Sequence, residues 1–253
     1  MPSVDLIIPV YNEERVLAES VEKLRAWAAE GLPWRWRVVV ADNASTDATL
    51  EVAQRLAADH ADDVAVIHLD RKGRGRALKR AWLESPADAM CYMDVDLSTD
   101  LEHVRPLLAS VVDEGCDVAY GSRLARSADI ERSFRREVNS RGYNLVIKAL
   151  FWTKFSDAQC GFKAITRDAA RELLPHVRDR EWFFDTELLI LAEKAGYRLK
   201  EIPVRWVEDP DSRVRFPQDI WKMGSRLVRL RLRRIPGREE LARMAAAQGT
   251  PGA

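Results

Sequence analysis

The sequence predicts an α/β fold: a doubly wound, mostly parallel sheet with helices on both faces. Three observations carry that expectation. Short β-rich runs alternate with helically spaced apolar residues along the N-terminal part of the chain. Runs such as Val38 to Val40 are apolar at every position, as strands covered on both faces require. The chain has 253 residues, 47% of them hydrophobic with only 12 Gly and 11 Pro, which suffices for one large core without staples.

Taken in order, Val4 to Val10 forms the first strand. The N-terminus MPSVDLIIPV lacks a basic n-region and meets Asn12 and Glu13 after a short apolar run, so it reads as a strand rather than a signal peptide. A helix follows from Glu14 to Ala29, then a strand from Trp36 to Ala41 and a helix from Thr49 to Ala58. A third strand at Val64 to Leu69 leads to a helix through Ala77 to Leu83, and Ala89 to Met93 makes a fourth strand. Beyond Leu101 the pattern predicts a helix to Glu114, a strand at Asp117 to Tyr120, and an Arg-rich stretch from Arg123 to Arg141. Near the end, Pro217 suits a helix start, and Ile220, Met223, Leu227 and Leu230 recur at helical spacing. Between Pro217 and Arg234 six cations face only Asp219, so this helix is basic as well as amphipathic. Either the core or a lipid surface can cover such a stripe. Ala245 to Ala253 reads as a frayed tail. The expected organisation is a main domain over residues 1–215 and a basic amphipathic helix with tail over 216–253.

Composition excludes several classes of function. Lys plus Arg and Asp plus Glu number 40 each, so a uniformly basic nucleic-acid binder and an acidic disordered chain are both disfavoured, and no nucleic-acid partner is expected. Cys91, Cys116 and Cys160 lie far apart, which points to a reduced, cytoplasmic setting without a disulfide framework or zinc knuckle. His60, His68, His103 and His176 show no metal-ligand spacing. No uninterrupted apolar stretch of about 18 residues occurs, so a membrane would be met from outside, at its cytoplasmic face.

The sharpest chemical signal is Cys91-Tyr92-Met93-Asp94-Val95-Asp96-Leu97, a strand ending in two carboxylates. Strand alternation would aim Asp94 and Asp96 the same way, beyond the carboxyl edge where open α/β sheets bind ligands. Close carboxylates repel unless a cation joins them, and Mg2+ or Mn2+ held by few protein oxygens plus substrate phosphates suits that arrangement. The plainer alternative is a solvated strand end. Two further strand ends carry polar turns, Pro9-Val10-Tyr11-Asn12-Glu13-Glu14 and Asp42-Asn43-Ala44-Ser45-Thr46-Asp47. Each reads separately as a turn with a helix N-cap. Together they would line one crevice, with Tyr11 placed to stack on a base and Asp42 to accept a base N–H. The loop Arg71-Lys72-Gly73-Arg74-Gly75-Arg76-Ala77 opens a helix and offers an anion site. Leu78 replaces the third Gly of a dinucleotide fingerprint and no Lys-Ser or Lys-Thr follows, which disfavours a dehydrogenase or an NTPase.

These four segments, in this order and spacing, resemble the family-two, GT-A glycosyltransferases. Gly121-Ser122-Arg123, Asn139-Ser140-Arg141, Asp157-Ala158-Gln159-Cys160-Gly161-Phe162-Lys163 and Trp182-Phe183-Phe184-Asp185-Thr186-Glu187 resemble specifically the polyprenyl-phosphate branch, with its dolichyl-phosphate glucose and mannose synthases. The resemblance runs from Val4 to Arg215. It implies an inverting transferase that moves a hexose from a UDP- or GDP-linked sugar to a polyprenyl phosphate lipid. By the same resemblance Pro9, Tyr11, Glu13, Asp42, Lys72, Gly73 and Asp94 bind the donor, Asp96 with Asp94 holds Mg2+ or Mn2+, and Arg123 and Arg141 bind the acceptor phosphate. Asp157 would lie nearest the transferred sugar, holding a hydroxyl or serving as base for an alcohol acceptor. Gln159, Lys163, Trp182 and Glu187 are weaker candidates. Arg126, Arg132, Arg135 and Arg136 read equally well as solvated charges, the other tryptophans as core, and Cys160 as a packed thiol. The chain departs from the usual Asp-Asp-Gly-Ser turn at Asn43 and Ala44, and Ser98-Thr99 follows the glucose-synthase-like members, favouring UDP-glucose over GDP-mannose. A soluble hydroxyl acceptor and a binding module without turnover remain as alternatives. A lipid acceptor makes an anionic membrane surface a further expected partner.

Overall fold

The computed structural model describes residues 1–125, 129–131, 134–207 and 216–248, and side chains except those at 126–139, 207–222 and 248–253. The strands are β1 (Ser3–Val10), β2 (Arg35–Asp42), β3 (Val64–His68), β4 (Ala89–Met93), β5 (Val118–Ser122), β6 (Asp129–Glu131), β7 (Phe162–Thr166), β8 (Leu199–Pro203) and β9 (Arg205–Val207). The helices are α1 (Leu17–Gly31), α2 (Thr49–Asp59), α3 (Arg74–Glu84), α4 (Val104–Val112), α5 (Phe134–Phe151), α6 (Arg167–Leu173), α7 (Phe184–Ala195), α8 (Phe216–Arg231) and α9 (Arg238–Gln248).

Seven strands form the central sheet in the order β3-β2-β1-β4-β7-β5-β8, with β6 and β9 as a separate parallel pair. Only β7 runs against its neighbours β4 and β5, so the sheet is mostly parallel, as expected. Because strand side chains alternate, β1 sends Leu6 and Ile8 to one face and Ile7 to the other. The first face packs on α1, α2 and α4 through Leu17, Leu24, Leu56 and Leu107. The second packs on α3, α6 and α7 through Leu78, Trp82, Leu173 and Leu188. Complete burial of a large apolar side chain contributes about 1.5–3 kcal/mol, and the all-apolar runs of β1, β2 and β4 are what two covered faces demand.

Several expectations shift. The first helix begins at Leu17 rather than Glu14, because Asn12 to Glu14 is engaged by the neighbouring loop. The third begins at Arg74, ahead of Ala77, and the strand placed at Asp117 runs from Val118 to Ser122. The Arg-rich stretch contains β6 and the start of α5. The side chains of Arg126, Arg132, Arg135 and Arg136 lie outside the described residues. The tail expected to fray from Ala245 is helical through Gln248, because Leu241 is buried and Arg238 makes a bidentate ion pair with Asp117 at 2.7 and 2.9 Å.

The C-terminal helices lie on the second face of the sheet. Leu227 and Leu230 of α8 are buried in that core and Met223 packs against it, so protein rather than lipid covers this apolar row. Ile220, Lys222 and Asp219 lie outside the described side chains. Arg226 pairs with Asp179 at 2.9 Å and Arg233, just past the helix, with Glu187 at 3.0 Å, and both pairs pin this segment to the rest of the protein. Among the described residues no helix is long and apolar enough to cross a membrane.

Candidate active site

The carboxyl ends of β1 and β2 continue into two loops laced together by side chains. Asn43 N donates to Val10 O at 2.9 Å, extending the strand pairing. Asn12 N donates to Ser45 Oγ at 3.0 Å, Thr46 N to Asn12 Oδ1 at 2.8 Å, and Glu13 N to Thr49 Oγ1 at 2.8 Å. Ala48 N donates in turn to Glu14 Oε2 at 2.9 Å. The polar residues of both turns therefore bond across the loops, and neither α1 nor α2 has a side-chain N-cap, in contrast to the capping expected of each turn. Asn12 and Ala44 sit at φ 56° and 59°, the left-handed region that disfavours a Cβ, so the lacing holds two unfavourable conformers.

Four predicted donor residues come together here. Pro9 is buried within β1 beside Ala41 of β2. The Lys72 ammonium lies 3.3 Å from the centre of the Tyr11 ring, capping the face expected to stack on a base. Asp42 is wholly buried at the end of β2, where Oδ2 contacts His68 Nδ1 at 2.7 Å and accepts from Ser45 N at 3.4 Å. Its Oδ1 is buried with no hydrogen-bond partner, an unsatisfied acceptor. Asn43, where the family pattern has Asp, accepts from Gly73 N at 2.6 Å and so ties the second loop to the glycine loop.

That glycine loop is shaped by close backbone approach. A Cβ on Gly73 would stand 2.6 Å from Arg180 O, and one on Gly75 2.5 Å from Phe184 Cβ and 2.9 Å from Glu181 O. Arg76 N, one of the free donors of the first turn of α3, is taken by Arg180 O at 3.1 Å. The loop therefore seats the segment Arg180 to Phe184, bringing Trp182 to the same place as Asp94. Arg74 is the link: its guanidinium pairs with Asp94 Oδ1 at 2.6 Å, lies 4.9 Å from the Trp182 ring centre and 5.4 Å from that of Tyr92. Burial opposes the Arg74 charge, but Asp94, Tyr92 and Asp185 more than offset it and raise its pKa.

Asp94 and Asp96 are not placed by strand alternation. β4 ends at Met93, and Leu97 N donates to Asp94 O at 3.1 Å with Leu97 at φ 49°, so the two carboxylates stand on a tight turn. Asp94 rests on Gly161, where any Cβ would overlap its Oδ2. Asp96 is exposed, and its Oδ1 accepts from Ser98 N at 3.0 Å. Among the described residues no group of three His, Cys, Asp or Glu could hold a metal by itself.

The loop that leads to Gly161 carries Asp157, which meets Arg123, one of the residues expected to bind an acceptor. Arg123, just past β5, grips Asp157 through Nε at 2.8 Å, Nη2 at 3.1 Å and its own N–H at 3.2 Å. Asp157 is wholly buried; burial works against its charge, yet the Arg123 guanidinium and its hydrogen bonds hold the carboxyl below the ordinary carboxylate value. Ser122 Oγ and Ser156 Oγ meet at 2.6 Å, and Ala158 N donates to Asn144 Oδ1 at 2.9 Å, which docks α5 on the same loop. Arg141, one turn earlier on α5, is exposed. Gln159 Nε2 contacts Met223 Sδ at 3.3 Å, so α8 reaches this loop as well. Burial pushes the Cys160 thiol up to about 12, keeping it protonated.

Two weaker candidates are engaged inside the protein. Lys163 is wholly buried, donating to Cys160 O at 2.6 Å and pairing with Asp185 Oδ1 at 3.1 Å, while Tyr92 OH also donates to Asp185. Glu187 accepts from Arg178 N at 3.0 Å and Asp179 N at 2.7 Å and pairs with Arg233. Arg74, Tyr92 and Asp185 were absent from the sequence-based site. All three lie inside the motifs that carry the resemblance or the paired carboxylates, so the sequence signal is present without a role attached to it.

The fold, a mostly parallel sheet with two carboxylates on the turn after β4 and cationic loops beside them, is that of the GT-A-like glycosyltransferases. Residues 5–174 match the profile described as Glycosyl transferase family 2, and the chain belongs to that family. Glycosyltransferase AglD of Haloferax volcanii is 38% identical over 228 residues, 89% of this chain but 36% of that protein, so the chain spans about a third of the length of that relative. The dolichyl-phosphate β-glucosyltransferase of Drosophila melanogaster is 32% identical over 257 residues, covering 95% of this chain and 78% of that one. Among solved structures, glucosyl-3-phosphoglycerate synthase of Mycobacterium tuberculosis, crystallised with Mn2+, UDP and phosphoglyceric acid, superposes with a TM-score of 0.65 at 16% identity, covering all of this chain and 80% of its own. At that identity the likeness concerns the fold. The protein is a glycosyltransferase whose curated relatives include the polyprenyl-phosphate branch.

Proposed function

We propose that the protein transfers glucose, with inversion, from UDP-glucose to a polyprenyl phosphate, with Asp94 and Asp96 holding Mg2+ or Mn2+. The observation that carries this is that one loop, Asp157 to Gly161, both seats Asp94 of the acidic turn and holds a buried Arg123–Asp157 pair whose guanidinium also feels the Asp94 charge. The similarity to dolichyl-phosphate β-glucosyltransferases and the Ser98-Thr99 pair support glucose and the lipid phosphate.

The donor set fits a hard cation. Asp96 is exposed, Asp94 half-exposed, and with two carboxylates the remaining positions fall to water and donor phosphates. An ion bound there would neutralise charge developing on the leaving diphosphate. Arg74 holds Asp94 meanwhile, and its buried Nε has no hydrogen-bond partner, so a phosphate oxygen can draw it away. Lys72 and Tyr11 flank the donor crevice, where Asp42 Oδ1 offers an acceptor to a base N–H. Trp182 is exposed beside Asp94 and offers an apolar face to the sugar.

The state of Asp157 favours a phosphate acceptor over an alcohol. An alcohol must lose a proton to a base, and Asp157, depressed in pKa and bound through both oxygens, is a poor one. A phosphomonoester has its second pKa near about 6 and is already mostly dianionic at neutral pH. It needs positioning, for which Arg141 and the outer edge of Arg123 are the candidates. Because its polyprenyl chain stays in a bilayer, the enzyme works as a peripheral protein at a membrane's cytoplasmic face.

Calorimetry tests the donor half. UDP-glucose should bind at least about tenfold more tightly with Mn2+ than with EDTA, a difference of about 1.4 kcal/mol, and Asp96→Asn should remove the difference. Equal affinity in all conditions would remove the metal from the account.

A further inference from the structure

We propose that the outward faces of α5 and α8 form a docking surface for an anionic bilayer, resting on the reading that the acceptor is a lipid phosphate. The apolar row that amphipathic spacing points to, Met223, Leu227 and Leu230, faces the core. What remains outside is a second apolar set on the opposite side of the helix. Val228 is 54% exposed and Leu232, one turn on, 83%. α5 also leaves apolar side chains outside: Ile147 and Phe151 are buried, while Leu145 is 68% exposed and Trp152, the residue just past the end of the helix, 75%. The two sets join where the Arg231 guanidinium lies 5.7 Å from the centre of the Trp152 ring. Trp152 also sits at φ 50°, an unfavourable conformation for a bulky side chain, held by Trp152 N donating to Lys148 O and by Lys194 Nζ donating to Trp152 O. Four large apolar side chains so exposed on two adjoining helices and at their C-terminal ends mark an interaction surface rather than ordinary surface scatter.

Charge selects the occupant. Between Ser140 and Lys154, and again between Met223 and Arg234, the sequence has cations and no Asp or Glu. Arg226, Arg233 and Arg234 are turned to acidic partners within the protein, whereas Lys148, Arg229 and Arg231 are exposed around the apolar set. Large apolar groups rimmed by Lys and Arg suit the headgroup boundary of an anionic membrane, the apolar groups entering and the cations meeting lipid phosphates. A second copy of this chain would bring the same cations against each other. The same two helices reach the Asp157 loop from their inward sides, α8 through Met223 on Gln159 and α5 through Asn144. A protein seated on their outward sides would therefore have that loop carried by membrane-bound helices.

The test is co-sedimentation of the full chain with vesicles of phosphatidylglycerol mixed equally with phosphatidylcholine, or of phosphatidylcholine alone, at low and high salt. The expected result is binding to the anionic vesicles, weakened by salt and reduced at least about tenfold in Trp152→Ser/Leu232→Ser and in Lys148→Glu/Arg229→Glu. Both variants should keep their turnover on a short, water-soluble polyprenyl phosphate, since these side chains lie outside the substrate site. Absence of binding by the unaltered chain, unchanged binding in Trp152→Ser/Leu232→Ser, or a dimer in solution that this variant dissociates would each overturn the proposal. Loss of vesicle binding with turnover kept supports the surface, whereas no turnover on any lipid phosphate strikes the acceptor reading while sedimentation still reports on the surface.

Discussion

Replacing Asp157 with Ala should destabilise the protein by about 3–5 kcal/mol, because it leaves the Arg123 guanidinium largely buried without its counter-charge. Against a total of about 5–15 kcal/mol, that is enough to bring the fold near its threshold. Asp157 is wholly buried, and it satisfies three donors from Arg123 and the Gln159 N–H at 3.2 Å. Asp157→Asn should cost less, since the amide keeps the shape and one acceptor. Urea denaturation of the three proteins checks this, and a loss under about 1 kcal/mol in Asp157→Ala would mean that the pair contributes no more than a surface one. The pH dependence has a definite sign. Because the folded carboxyl lies below its ordinary value of 3.8, its contribution is fully present above that pH and is lost as the pH falls through the lower folded value. Acid unfolding of Asp157→Asn should therefore begin from lower stability and lack this component of the pH slope.

A methyl group at Gly161 should lower kcat by about a hundredfold or more while shifting stability little. The added Cβ would overlap Asp94 Oδ2, the far end of a half-exposed side chain that can swing aside at small cost. What is lost is the seat that holds Asp94 against Arg74, and a displacement of about 1 Å at a reacting centre can cost about 10²-fold. Melting temperature and kcat measured together on Gly161→Ala decide the matter. Normal kcat would show that Asp94 works from elsewhere, and a large drop in melting temperature would show that Gly161 serves the fold first.

The half of the fold that follows local rules was legible in the sequence. The first four strands and the helices between them announce themselves by apolar runs and spacing, and their carboxyl ends carry the polar turns that line the crevice. What spacing could not supply was β7. Phe162 to Thr166 is a short segment interrupted by Lys163, and its antiparallel insertion between β4 and β5 depends on partners more than 40 residues away in sequence, with Met93↔Phe162 and Tyr120↔Lys163 in register. The same long-range pairing buries Lys163 beside Tyr92 and Asp185, which no local pattern reveals. The carboxylates of Asp94 and Asp96 were found by composition, but their geometry belongs to a turn closed by a left-handed Leu97. α8 was legible as amphipathic, yet which face met the core followed only from Leu227 and Leu230 in contact with it. Glu187, inside a recognisable motif, proves to hold the Arg178–Asp179 backbone and Arg233, because α7 presents it toward the C-terminal helices.

The most direct test of the central claim is a product assay. The protein is incubated with Mn2+ and either UDP-glucose or GDP-mannose, in the presence of a short polyprenyl phosphate or phosphoglycerate, and the products are weighed by mass spectrometry. The account predicts one new species, the polyprenyl phosphate heavier by one hexose, formed from UDP-glucose and abolished by EDTA. Hexose appearing on phosphoglycerate with none on the lipid phosphate, or transfer from GDP-mannose alone, would contradict it.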